Sequence, residues 1–138
     1  MGTDQGRANL IECYIQLASL TNNNPSKAWE YFQQAMILAK KPLRNGYKPI
    51  RAYYEAGKFT IQNHYRVQEG VETLLTYLEL ARDVSPDAHG LAYNQTAFLL
   101  GKGYAILKDF PRARKYLEQA LVKNPDDKEV KDLLMTLP

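Results

Sequence analysis

Three times along the chain, a small residue is followed four positions later by a large apolar one and then by a closing proline. The segments are "AWEYFQQAMILAKKP" from Ala28, "GVETLLTYLELARDVSP" from Gly70 and "ARKYLEQALVKNP" from Ala113. Their aligned positions are Ala28, Phe32, Ala35 and Pro42; Gly70, Leu74, Tyr77 and Pro86; and Ala113, Leu117, Ala120 and Pro125. Tyr77 departs from the small-residue pattern and makes the second copy the loosest. Each segment is preceded by a pair ending in a small residue: Leu17-Ala18, Ala56-Gly57 or Leu100-Gly101. Thr21, Thr60 and Tyr104 stand three residues further on. A lone amphipathic helix has no use for small residues at fixed intervals. Two helices crossing closely require them wherever the backbones meet.

Between clusters of turn-forming residues, apolar side chains recur every three or four positions, the helical period, and strand alternation is nowhere sustained. The clusters are "NNNPS" (22–26), "KKPLRNGYKP" (40–49), "SPDAHG" (85–90), "KDFP" (108–111) and "KNPDD" (123–127). The chain therefore reads as all-α, with a helix, a short turn and a second helix occurring three times. Asn24-Pro25 has the form of an N-cap followed by proline at the first helical position. Lys48-Pro49 and Phe110-Pro111 likewise place proline where a missing N–H costs little. A last stretch, "DDKEVKDLLMTL", is expected to form one more helix, favoured at its start by Asp126 or Asp127. Residues 1–7 are expected to be a flexible lead, and the Met-Gly start is what a piece of a longer protein would show. The lead has no apolar core for a signal peptide or anchor, and a cytoplasmic location is the expectation.

With these residues in place, the chain resembles the tetratricopeptide repeat family. The third copy carries the likeness best, through Leu100-Gly101, Tyr104, Ala113, Leu117, Ala120 and Pro125 within a unit of about 34 residues. Ala97 stands where the family has an early tryptophan. Copies one and two are looser, and their second helices are expected to run about one turn longer. The resemblance covers about residues 8–125. It implies antiparallel helix hairpins stacked as a right-handed α-α superhelix in a single domain, 8–138. Its repeats would span about 8–42, 48–86 and 88–125, with a capping helix at about 126–137. Repeats of this kind cannot bury their apolar faces alone, so three copies are close to a minimum.

Reactive groups are few. Cys13 is the single cysteine, which excludes an internal disulfide and a cysteine zinc site, and it is expected to be a buried small hydrophobe. His64 in "QNHYRV" and His89 in "PDAHG" fall in separate turns. Phosphate-binding glycine loops and HExxH are missing. The chain therefore reads as non-catalytic, with no cofactor and no metal site. No run reaches the roughly 18 apolar residues of a membrane span. The formal charge of +3 is too small to argue for nucleic acid. It is uneven, however: residues 1–69 carry 9 basic and 5 acidic side chains, and residues 70–138 carry 9 and 10. The basic run "KKPLRNGYKPIR" (Lys40, Lys41, Arg44, Lys48, Arg51) reads mainly as a solvated loop and helix start. The ten tyrosines are expected to be core or half-buried.

In the family, the first helix of each repeat lines a concave groove that holds a partner peptide or helix. Carried onto this chain, the resemblance implies Glu12, Ile15, Ser19 and Asn22 in copy one. It implies Arg51, Tyr54, Lys58, Ile61 and Gln62 in copy two. Copy three supplies Gln95, Phe98, Lys102, Ala105 and Ile106. Arg51, Lys58 and Lys102 would steer an acidic segment, with Tyr54 and Phe98 as anchors. The carboxylate clamp of one family subclass would fall on Ile15, Ser19, Glu55, Gln95 and Leu99, which lack its residue types. A protein-interaction module follows, with homo-oligomerisation through exposed ends as the alternative, using Leu133, Leu134 and Met135.

Overall fold

A computed structural model describes residues 4–21, 23–42, 49–82 and 86–138, with the side chains of 86–93 set aside. Asn22, Arg44 and Lys48 lie outside the described residues, as do residues 1–3 and the side chain of His89. The helices are α1 (Asp4–Leu20), α2 (Pro25–Ala39), α3 (Arg51–Gln62), α4 (Val67–Ala81), α5 (Pro86–Ile106), α6 (Phe110–Lys123) and α7 (Lys128–Thr136). The described residues contain no strand. They form two compact units, residues 1–56 and 57–138, whose boundary falls inside α3.

In the first unit, α1 packs on α2. Ile11, Ile15 and Ala18 of α1 and Ala28, Trp29, Phe32 and Ala35 of α2 are buried. The α2 start follows from its residues: the Asn24 side chain accepts from the Lys27 N–H at 3.2 Å, and Pro25 needs no donor at the first position. The other end of α2 is closed from α1. The Arg7 guanidinium donates to the carbonyls of Leu38 (3.0 Å), Lys41 and Pro42 (2.8 Å), placing positive charge on orphan acceptors at a helix C-terminus. Residues 4–7 are part of α1, and Arg7 among them reaches the end of α2. Cys13 is exposed, contrary to expectation, because the buried stripe of α1 runs through positions 11, 15 and 18.

In the second unit, two hairpins repeat one geometry. A methyl placed on Gly57 would lie 2.4 Å from Leu74 Cγ and 3.2 Å from the Gly70 carbonyl. A methyl on Gly101 would lie 2.6 Å from Leu117 and 3.3 Å from the Ala113 carbonyl. Both glycines therefore sit where α3 meets α4 and where α5 meets α6, and the small residues serve close crossing. The turns match as well. His64 and Lys108 are left-handed (φ 51° and 64°). Tyr65 N–H bonds to Thr60 C=O at 2.9 Å and His64 N–H to Ile61 C=O at 3.3 Å; Asp109 to Tyr104 (2.9 Å) and Lys108 to Ala105 (3.0 Å) repeat them. Each is a Schellman closure. The α3–α4 turn inserts one extra left-handed residue, Arg66, before its second helix.

Asp109 caps α6, accepting from the Arg112 N–H (3.4 Å) and guanidinium (2.6 Å), which holds its carboxyl below the usual range. Asp127, rather than Asp126, caps α7 through the Val130 N–H at 3.3 Å. Leu117, Ala120 and Val130 form a buried cluster on which Ala97, Phe98, Leu121, Leu133, Leu134 and Leu137 pack.

Three expected boundaries shift. The second helices α2, α4 and α6 have 15, 15 and 14 residues, so copies one and two do not gain a turn. Pro86 opens α5 instead of closing α4, and "PDAHG" is helical, because proline at a first position gives up no hydrogen bond. Pro49 lies two residues before α3 instead of at its start.

Candidate binding surface

The helices expected to line a groove are α1, α3 and α5. On the first unit, Arg51 of α3 meets Glu12 of α1, with Nη1 to Oε2 at 2.5 Å and both side chains about half exposed. Two predicted surface positions from successive copies are therefore neighbours. The pairing also occupies Arg51 with a carboxylate of its own chain, which weakens it as a steering charge. Ser19 is exposed and its hydroxyl bonds back to the Ile15 carbonyl at 3.1 Å. Ile15 is buried and belongs to the α1–α2 core.

Tyr54 is only 5% exposed. Burial first and the adjacent Glu55 second push its phenol up to about 12. The ring is an interior packing residue, not an open anchor: it lies between the buried Tyr53 and the half-buried Glu55 along α3. Its sign of linkage is clear. Below the ordinary phenol value of 10.0 the folded and unfolded chains are both neutral there. As pH rises from 10.0 toward about 12, the unfolded chain ionises first, and stability falls. Tyr54→Phe should flatten the drop in urea midpoint between about pH 9 and about pH 11. Tyr53 and Tyr104, also raised by burial, leave a residual slope. An unaltered slope in the variant would show that Tyr54 ionises as freely as in water.

On the second unit, Ile61 is fully buried. A methyl on Gly103 would lie 3.0 Å from its Cδ1 and 2.7 Å from Val71 Cγ2, so α5 crosses the α3–α4 hairpin at this glycine. Ile61 thus holds helices together and offers nothing to a partner. Around this contact, Lys58 and Lys102 are half-buried and Gln62 and Gln95 are exposed. Phe98 is half-buried and packs toward the cluster shared with α7. Ala105 and Ile106 are half-buried. The polar positions of the predicted face therefore reach solvent, while two of its apolar positions face inward. Apolar character marks both a buried seam and an open anchor, and only the neighbouring helix separates them.

Among the described residues, no group of three His, Cys, Asp or Glu side chains is placed to hold a metal ion, and no helix is long and apolar enough to cross a membrane. His64 occupies its expected turn.

Residues 95–127, from the middle of α5 to the cap of α7, match the family model described as Tetratricopeptide repeat. That segment is similar to a tetratricopeptide repeat, and the all-helical hairpins of the described residues fit one. The matched segment is the third copy, and the glycine, leucine and Schellman geometry of that copy recurs in α3–α4. Neither a curated protein nor a solved structure gives a significant match. Repeats of this type are typical of protein-interaction scaffolds. One exposed apolar face was not among the expected surface positions: Leu10, Leu17 and Leu20 of α1. Their positions relative to Ala18 could have disclosed it, since the matching positions in α5 are Leu100, Gly103 and Tyr93 around Gly101.

Proposed function

We propose that the chain is a non-catalytic protein-interaction module and that the second unit offers a partner the outer edges of α3 and α5. The supporting observation is the Gly103–Ile61 contact, which brings α3 beside α5. Lys58 and Gln62 flank it on α3, and Lys102 flanks it on α5. Two lysines and two amides beside a half-buried ring suit an acidic extended segment carrying an aromatic or aliphatic side chain. Arg51, paired with Glu12 in the first unit, is left out of this surface.

The test uses an immobilised array of acidic peptides with and without one aromatic residue. Lys58→Glu with Lys102→Glu should lower capture about tenfold at low salt and lose most of that difference at high salt. Melting temperature should move little, since the changes are near the surface. Equal capture by the variant and the unmodified chain, with both folded, would eliminate this face as the binding surface.

A further inference from the structure

The outer face of α1 is apolar and uncovered by the described residues. Leu10 is 44% exposed, Leu17 39% and Leu20 80%, and Cys13 between them is exposed as well. These four share one helical face, three and four residues apart. Tyr14 extends the face sideways, its ring 6.2 Å from that of Tyr31 on α2.

The internal repeat shows what such a face does. Counted from Ala18 and Gly101, Cys13 corresponds to Thr96, Leu17 to Leu100 and Leu20 to Gly103. In α5, Thr96 and Leu100 are fully buried, and Gly103 lies against Val71 and Ile61 of the hairpin before it. The same register is thus covered in α5 and open in α1.

We propose that this face pairs with the same face of a second copy, α1 lying antiparallel to α1 across a two-fold axis. The spacing 10, 13, 17, 20 reads three, four, three in either direction. Reversal therefore sets Leu10 against Leu20 of the second copy, and Cys13 against its Leu17. Electrostatics permit it. The charged residues of α1 are Asp4, Arg7 and Glu12. Arg7 is engaged with Asp4 and the α2 carbonyls, and Glu12 with Arg51. The stripe itself meets its copy without like charges. At the C-terminal end of the second unit, α7 has Val130 buried and Leu133 and Leu134 half-buried, while Lys128, Glu129, Lys131 and Asp132 face water around Met135.

The paired stretch is about 15 Å long, shorter than a standard interface, so association is weak and visible only at high protein concentration. Sedimentation in reductant from about 10 µM to about 500 µM should show the mass rising from 15.8 kDa toward a dimer. Leu17→Glu with Leu20→Glu should remain at 15.8 kDa throughout with an unchanged helical melt. The Lys58→Glu, Lys102→Glu variant should dimerise like the unmodified chain, which separates this surface from the one proposed for partner peptides. A constant monomer mass in the unmodified chain overturns the pairing. So does a concentration-dependent mass that survives the α1 substitutions, which would move self-association to another face.

Discussion

Gly70→Ala should destabilise the chain by about 3 kcal/mol, the upper part of the range for overpacking. The added methyl would lie 1.7 Å from Thr60 Oγ1 and 2.8 Å from its Cβ. Thr60 cannot step aside. It is fully buried and β-branched, and its hydroxyl donates to the Gly57 carbonyl at 2.7 Å. The gain of about 1 kcal/mol from replacing a helical glycine is too small to compensate. Ala28 and Ala113 hold a methyl at the equivalent place in the other copies, so the restriction comes from Thr60 and not from the fold. Urea melts of Gly70→Ala, Thr60→Ala and the double variant check this. The double variant should be no less stable than Gly70→Ala alone, because the methyl then has room. A Gly70→Ala chain as stable as the original would mean that α3 and α4 stand farther apart.

Val130→Asp should release α7. Val130 is buried in the cluster with Leu117 and Ala120, and a carboxylate there has no partner. Burying it would cost several kcal/mol, so undocking nine residues is the cheaper response. Hydrogen exchange should then show lost protection from Lys128 to Thr136 and weakened protection around Leu117. Amides of α1 and α2 should exchange as before, as expected where coupling passes between neighbours. The newly exposed Phe98, Leu133, Leu134 and Leu137 should raise binding of a hydrophobic dye. Full retention of α7 protection would mean that the other leucines hold this helix without Val130.

The pairing of helices was legible in the sequence because close crossing leaves a chemical trace. Gly57 and Gly101 are small because Leu74 and Leu117 lie against them, and those leucines follow Gly70 and Ala113 by one helical turn. The Asn24 cap was legible too, since it acts on a backbone donor within three residues, whereas Asp109 was not foreseen and Asp127 was not separated from Asp126. The start of α5 was harder. Proline and glycine in "SPDAHG" suit a turn and a helix start equally, and local chemistry does not choose between them. The exposure of the proposed binding face was read only in part. Lys58, Gln62 and Gln95 follow from register, because water accepts polar groups on any outward face. Tyr54, Ile61 and Ile15 did not follow, since a ring or aliphatic chain on the same face turns inward once another helix arrives. Cys13 shows the converse, a modestly apolar residue left outside because Ile11 and Ile15 had already defined the inner stripe.

Gly101 and Gly103 give α5 one bare patch toward α6 and another toward the α3–α4 hairpin, separated by a single lysine. A segment so poor in side chains there has little reason to coil by itself. Its order is borrowed from both flanks, so a shortened chain missing either flank should leave this stretch partly melted. The same dependence makes the two glycines a joint through which damage on one side is felt on the other.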